Sequence, residues 1–331
     1  MLQNSRWGKT VDSVDLAVLK SLSDWQKEGL PCWLATVAGT FGSSPRPAGS
    51  MLALRADGLM VGSVSGGCVE DDLLLRAKTG KLATDRAEIL SYGATREEAL
   101  RFSLPCGGAL RLVIEPLRNA EWVDGVLQAV NARRKIMRTL HLDTLRVDLS
   151  DDAEGFAFDG NIMRTSHGPR LRMLIIGANQ TAAYLARMAQ VLDYHVHVCD
   201  PRAEMRKTWD VAGTVLTEEM PDDAVLALKA DAATAIIALT HDPKLDDMAL
   251  TEALKSKAFY VGALGSKASN AKRRERLVLF DLSKEEIDRL HGPVGMSIGS
   301  RTPPEIAVSI LAHLISVRAS TVQPVVKEAC S

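Results

Sequence analysis

The sequence predicts an α/β protein: an N-terminal mixed α/β domain, then a Rossmann-like domain with a doubly wound parallel sheet. Three observations predict this. The chain has 331 residues, enough for two hydrophobic cores of ordinary size. Beyond Gly168-Pro169, short apolar strands alternate regularly with helical stretches, the pattern of repeated βα units. Before that point the order is irregular, with a long Gly/Pro loop at 39–49 and a hairpin signal at Asp57-Gly58. The expected boundaries are 1–166 for the first domain, 169–320 for the second and 321–331 for a tail.

The first domain opens with a helix over 11–28, where Val14, Ala17, Val18, Leu22 and Trp25 fall on one stripe and Gly29 ends it. A buried strand follows at 32–38. Strands at 51–55 and 59–63 flank Asp57-Gly58, which predicts a type I′ turn. Cys68 starts a helix running to Lys78. Strands follow at 87–92 and 110–115, then a helix near 123–132 and strands at 137–142 and 156–163.

In the second domain, strands are predicted at 171–176, 195–199, 214–216, 235–239 and 258–261. The helices between and after them cover 181–192, 222–229, 245–256 and 268–279. Ser283-Lys284-Glu285-Glu286 is a capping box. Thr302-Pro303-Pro304-Glu305 is a second one, with proline at the first helical position, before an apolar helix to about Val317. Lys272-Arg273-Arg274 reads as an exposed basic helix face.

The bulk composition excludes several classes. With 40 basic and 41 acidic residues there is no global field to draw nucleic acid or an anionic membrane. No apolar run reaches the roughly 18 residues that span a bilayer, and residues 1–10 lack a signal peptide's apolar core. Five cysteines without a C-x-x-C argue against a disulfide framework or structural zinc, and fit a reducing cytoplasm.

The chemistry-bearing motifs begin with two cysteines set against paired glycines in mirror order, Gly66-Gly67-Cys68 and Cys106-Gly107-Gly108. Glycine lets a ligand approach the main chain beside each sulfur. Cys68 at a helix start has a dipole that favours thiolate, opposed in part by Glu70 and Asp71. Either cysteine reads as a contact for a metal or a transferable sulfur, or as a small buried hydrophobe. Cys32 and Cys199 lie in predicted strands and read as core.

In the second domain, Gly177-Ala178-Asn179-Gln180 sits where a dinucleotide fingerprint belongs, with Asp200 ending the next strand as the ribose-binding acid. Asn179 replaces the middle glycine; it tolerates left-handed backbone, but its side chain takes pyrophosphate space. A bare scaffold and a nucleotide site are both open readings. Two loops, Gly262-x-x-Gly265-Ser266-Lys267 and Gly295-x-x-x-Gly299-Ser300-Arg301, combine glycine, hydroxyl and cation ahead of a helix; they suit a phosphate, or are ordinary turns with solvated cations. His241, in Thr240-His241-Asp242, follows a strand and falls at the same edge. No Ser-His-Asp hydrolase set and no Walker A loop is found.

Taken together, these motifs resemble the XdhC/CoxI family of molybdenum-enzyme accessory proteins. The resemblance runs through 42–49, 62–70 and 106–108 in the first domain. In the second it runs through Asp200-Pro201-Arg202, Thr240-His241-Asp242, 260–267 and 298–303. The chain departs at Gly177-Ala178-Asn179-Gln180, where the family reads Gly-Ala-Gly-His. The resemblance implies a chaperone without turnover of its own. It would bind molybdenum cofactor as molybdopterin or its cytosine dinucleotide form, and assist sulfuration by a cysteine desulfurase. It would deliver the cofactor to a xanthine dehydrogenase-like or aldehyde oxidoreductase-like apoenzyme. Cys68, with Cys106, would meet the molybdenum–sulfur end; Ser266, Lys267, Ser300 and Arg301 would hold the phosphate end. Two rivals are an NAD(P)-dependent oxidoreductase on the Rossmann half, and an interaction protein that docks on a molybdoenzyme without cofactor. A homodimer is the base-rate expectation, with no nucleic acid and no membrane partner.

Overall fold

The structure is a computed structural model that describes residues 9–10, 13–41, 46–93, 109–119, 121–151 and 155–322. The chain divides into two compact units, Met1–Pro169 and Arg170–Ser331.

The first unit runs β1 (Lys9–Thr10), α1 (Ser13–Lys27), β2 (Cys32–Phe41), β3 (Met51–Arg55), β4 (Met60–Gly62), α2 (Cys68–Lys78), β5 (Glu88–Tyr92) and β6 (Ala109–Pro116). It continues with α3 (Glu121–Asn131), β7 (Ile136–His141), β8 (Val147–Ser150), β9 (Ala157–Phe158) and β10 (Ile162–Gly168). One sheet has the order β4-β3-β2-β6-β5 and is antiparallel throughout. The other has the order β1-β10-β7-β8, with β9 against β10.

The long apolar run of β2 is explained by burial on both faces. Cys32 and Leu34 pack with Met51 and Ala53 against α1 and α3, while Trp33, Ala35 and Val37 pack with Leu52 and Leu54 against α2. Each face is sealed by a helix, so α2 and the cysteine that starts it rest on a fixed layer.

Four sequence expectations change in this unit. The buried stripe of α1 is Asp15, Val18, Leu19, Leu22 and Trp25; Val14 is 44% exposed, and Ala17 is exposed too. The helix is rotated from the expected face so that Leu19 is buried in place of the smaller Val14 and Ala17. Asp57-Gly58 is not a type I′ turn. Across residues 55–59 only Gly58 has positive φ, at 99°, and its N–H donates to Arg55 O at 2.9 Å. This is a type I turn closed by a glycine bulge, with Arg55 holding the Asp57 carboxylate at 2.8 Å. The expected strand at 156–163 is two strands, divided where Asp159 Oδ1 accepts from Asn161 and Ile162 N–H. The half-exposed β8 carries too few apolar residues to stand out by pattern.

The second unit comprises β11 (Arg172–Ile176), α4 (Gln180–Val191), β12 (His195–Cys199), α5 (Ala203–Arg206), β13 (Val215–Thr217), α6 (Pro221–Leu228) and β14 (Thr234–Ala238). It ends with α7 (Pro243–Lys255), β15 (Tyr260–Ala263), α8 (Lys267–Val278), α9 (Lys284–Asp288), β16 (Leu290–His291) and α10 (Pro303–Val322). All six strands are parallel in the order β13-β12-β11-β14-β15-β16. The order reverses between β11 and β14, which is the switch point of a Rossmann sheet. Met173, Ile175, Val196, Val198, Ala235 and Ile237 face α4 and α10; Leu174, Ile176, Cys199, Ile236 and Ala238 face α6 and α7. Both faces are covered, which is why these strands read as continuous apolar runs.

The basic run at 272–274 is not one exposed face. Arg273 is 5% exposed and Arg274 is half-buried, while Lys272 is exposed. Buried carboxylates on α7 draw Arg273 inward.

Candidate functional site

The chemistry in the first unit is built on the loop between β4 and α2. The residues Ser63–Gly67 wrap the carboxylate of Glu70, which is only 8% exposed. Oε1 accepts from Ser63 Oγ at 2.8 Å and from the N–H groups of Val64, Ser65 and Gly66 at 2.9, 2.8 and 2.9 Å. Oε2 accepts from Gly67 N–H at 2.8 Å and from the Ser65 hydroxyl. Burial pushes the Glu70 carboxyl up, but these hydrogen bonds outweigh it and hold it at about 2. Wrapping the loop so tightly needs φ = 95° at Gly66, a conformation glycine adopts without strain. Val64, Val69 and Leu73 are fully buried and pin the loop and α2 to the sheet.

Cys68 stands at the first position of α2 and is exposed. A Cβ placed on Gly66 or Gly67 would meet no atom within 4 Å, so the surface beside the thiol is bare main chain. Cys32 and Cys199 are 3% and 0% exposed, and burial pushes their thiols up to about 11 and about 12. Cys106 and its glycines lie outside the described residues.

In the second unit, four loops meet at the carboxyl edge of the parallel sheet. Gly177 follows β11, with φ at 105°; a Cβ there would lie 3.0 Å from Thr240 Cα, so glycine lets two loops touch. Asn179 is extended and makes no use of its tolerance for left-handed backbone. Its Oδ1 accepts from Ala182 N–H at 2.9 Å and its Nδ2 donates to Leu239 O at 2.5 Å. The side chain therefore caps α4 and ties it to the loop after β14. A cavity of about 410 Å³ adjoins this turn, walled by Tyr184, Met205 and Trp209. A larger one, about 530 Å³, lies among α6, α7 and Phe280 and includes none of the residues singled out from the sequence.

Asp200 does not present itself as a ribose acceptor. It is fully buried, and Oδ2 accepts from Ala178 N–H and Arg202 Nη2, both at 2.8 Å. Oδ1 accepts from Arg202 N–H at 3.1 Å and Arg202 Nε at 2.9 Å. Burial pushes its carboxyl up, but Arg202 and the Ala178 N–H outweigh that and hold it below the ordinary range. Four internal donors leave no lone pair aimed outward.

His241 is exposed, with φ at 63°, on a turn fixed by a buried network that sequence reasoning missed. Asp246 Oδ1 accepts from Thr240 N–H at 3.1 Å and Thr240 Oγ1 at 2.7 Å; Oδ2 accepts from Arg273 Nη2 at 3.1 Å. Arg273 Nη1 donates to Leu264 O at 3.1 Å and to Asn270 Oδ1 at 2.5 Å, and Asn270 Nδ2 donates to Gly265 O. The chain Thr240–Asp246–Arg273–Asn270 thus locks the His241 turn to the Gly265-Ser266-Lys267 loop. The signal for it was an aspartate and an arginine at core-facing helical positions, hidden because charged residues are read as surface.

The loops expected to suit phosphate are unequal. Glu305 accepts from Arg301 N–H at 2.7 Å and Thr302 N–H at 2.9 Å, and Pro303 and Pro304 donate nothing, so the donors from Arg301 to Pro304 are used internally or absent. At α8, Ser266 Oγ accepts from Ser269 N–H at 3.1 Å as the cap. The N–H groups of Lys267 and Ala268 have no acceptor among the described residues, and Ser266 and Lys267 are exposed. No hydrogen bond among the described residues joins 299–301 to the loops after β11, β12, β14 and β15. Among the described residues there is also no cluster of three His, Cys, Asp or Glu suited to a metal ion, and no helix long and apolar enough to cross a membrane.

Comparison with known proteins adds the following. The chain is 28% identical over 298 residues to the molybdenum cofactor insertion chaperone PaoD of Escherichia coli, covering 86% of this chain and 83% of that one. It is 26% identical to a probable xanthine dehydrogenase subunit of Bacillus subtilis, covering 91% and 96%. A crystal structure described as a xanthine dehydrogenase from Bacillus halodurans has the same fold. Its TM-score is 0.76 at 24% identity, over 95% of this chain and 97% of that one. Residues 25–93 match the model of the XdhC and CoxI family and residues 173–314 that of the XdhC Rossmann domain. The two matches fall on the unit that carries the Glu70 loop and on the parallel sheet respectively, and the chain belongs to the XdhC and CoxI family.

Proposed function

We propose that this chain is a molybdenum cofactor insertion chaperone for a molybdoenzyme of the xanthine dehydrogenase or aldehyde oxidoreductase type. The cofactor is cargo here, not a resident group. The family membership and the relative named as such a chaperone support the reading. The observation that carries it is the placement of Cys68, exposed on a loop that Glu70 holds rigid, while Cys32 and Cys199 are sealed in cores. An exposed thiol at a helix start is placed to engage a soft metal or a transferable sulfur.

In this reading Cys68 contacts the molybdenum–sulfur end of the cargo, and Cys106 is a second candidate contact. Gly66 and Gly67 let the cargo approach the main chain. In the second unit Gly265, Ser266 and Lys267 suit the phosphate, Arg301 contributes its side chain alone, and Gly177, Asp200 and His241 shape the neighbouring edge. The cargo is molybdopterin or its cytosine dinucleotide form; a cysteine desulfurase supplies the terminal sulfur, and a cytoplasmic homodimer passes the cofactor to the apoenzyme. The NAD(P) reading has less support, because the Asn179 amide and the buried Asp200 carboxylate are already bonded within the protein.

The test is retention of molybdenum cofactor through gel filtration. Wild type is expected to carry it, Cys68→Ala to carry much less, and Lys267→Ala to be weakened. A wild type that retains none refutes the reading; equal retention by Cys68→Ala removes Cys68 from it.

A further inference from the structure

A run of backbone N–H groups converging on one point is an anion site. The loop Ser63–Gly67 is such a run, and its occupant is part of the chain. Four N–H groups and two hydroxyls converge on the Glu70 carboxylate. A carboxylate has about four lone-pair sites, so these donors saturate it. The carboxylate is tethered three residues from Gly67, is almost fully buried, and stays ionised at any pH near neutrality. A free oxyanion would have to displace it, and a tethered group competes at the high effective concentration of an intramolecular partner.

We propose that Glu70 is the positioning and specificity-determining residue of the Cys68 loop. It fills the loop's oxyanion nest from within, so the loop meets its ligand with a thiol and bare glycine main chain and rejects a phosphate or carboxylate. Resting on the chaperone reading, this assigns the loop to the molybdenum–sulfur end of the cargo and excludes the phosphate end. The loop's own geometry agrees. The donors of 63–67 turn inward to Glu70, while the glycine Cα faces beside Cys68 stay open.

The test needs no cofactor, so its failure is distinct from failure of the chaperone reading. Cys68 is alkylated in the native full chain with neutral iodoacetamide and with anionic iodoacetate, each with and without millimolar inorganic phosphate. The Cys68 peptide is quantified by mass spectrometry. In wild type, phosphate is expected to leave both rates unchanged. Glu70→Gln removes the charge and frees donors. The iodoacetate-to-iodoacetamide ratio should then rise by about tenfold, the equivalent of one charge-assisted hydrogen bond, and phosphate should now slow both reagents. Glu70→Asp keeps the charge and should hold the ratio near wild type. Loosening of the loop alone would speed both reagents together and leave their ratio unchanged. Phosphate protection of Cys68 in wild type overturns the proposal without any variant. So does a Glu70→Gln protein, folded by circular dichroism, whose ratio stays at the wild-type value.

Discussion

Arg273→Met tests the lock between the His241 turn and the Gly265 loop, and separates two residues that look alike in sequence. Arg273 is 5% exposed and its guanidinium bonds Asp246, Asn270 and Leu264 O, with Asp247 3.4 Å from Nε. Methionine keeps most of the apolar stem and removes the cation. Asp246, 1% exposed, is then left buried with only the two Thr240 donors. Leaving one partner of a buried pair uncompensated costs about 3–5 kcal/mol. For a unit of about 150–250 residues, each kcal/mol moves the melting temperature by about 2–4 °C, so the second unit should melt about 6–20 °C lower. Lys272→Met, one residue away on the exposed face, should stay within about 0.5 kcal/mol of wild type. Adding Asp246→Asn to Arg273→Met should restore part of the loss, because the stranded charge goes with it. Differential scanning calorimetry of the full chain reads all four proteins. Equal melting of Arg273→Met and Lys272→Met would refute the reasoning, since the buried network would then carry no net energy.

Three further outcomes are expected. Arg138→Met strands Glu115, which is 3% exposed and bonded to Arg138 Nη2 at 2.5 Å, and should cost about 3–5 kcal/mol at pH 7. Burial raises the Glu115 carboxyl. A raised folded-state value means the protonated acid is the form the fold tolerates. The loss should therefore shrink as pH falls toward the ordinary carboxylate value near about 4.3, and Glu115→Gln in the same background should remove the pH dependence; urea unfolding at pH 5 and pH 7 checks both. Native-state alkylation near pH 8 should label Cys68 and spare Cys32 and Cys199, whose thiols sit at about 11 and about 12, until the chain is unfolded. Labelling of Cys199 as fast as Cys68 would contradict its burial. Gly177→Ala forces a Cβ to 3.0 Å from Thr240 Cα at φ 105°, and should lower stability by at least about 1–2 kcal/mol in chemical denaturation.

The parallel sheet was legible in sequence because its strands are buried on both faces and its helices announce themselves. The boundaries of β11, β12, α4 and α8 fall within a residue of expectation, and Ser283-Glu286 closes as the reciprocal cap its spacing predicted. The α1 face and the Asp57-Gly58 turn were misread for a shared reason. Periodicity and turn signals name the residues involved but not which of two adjacent registers packs better. Asp246 and Arg273 were illegible for a different reason. A charged residue is assigned to solvent unless its partner is known, and the partners lie 27 positions apart. Glu70 was visible but underread: treated as a charge opposing a thiolate, it is the centre on which the whole loop is wound.

The loops chosen from sequence as anion sites were chosen on glycines, hydroxyls and helix starts, and those criteria were sound about geometry. What they cannot see is whether the chain supplies its own anion. Asp200 does so for Ala178 and Glu305 for 301–302, and the Asn179 amide oxygen acts as a neutral equivalent at α4; Glu70 does the same for 63–67, a loop read from sequence for its thiol and not as an anion site. Each occupant fixes the turn that donates to it: Glu70 the loop before Cys68, Asp200 and Asn179 the turn after β11, and Glu305 the start of α10. On the proposed chaperone reading, such support would hold the reactive end of the cargo in one orientation, because preorganised contact lowers the ordering cost of binding. At the start of α8, the Lys267 and Ala268 N–H groups have no acceptor among the described residues, as is true of Gln180 and Thr181 at α4; what sets α8 apart is the exposed Lys267, with the loop fixed from beneath by Asn270 and Arg273. On the proposed reading, that lysine makes Gly265–Ala268 the place to test for phosphate recognition, and the exposed Cys68 makes the Glu70 loop the place to test for sulfur chemistry.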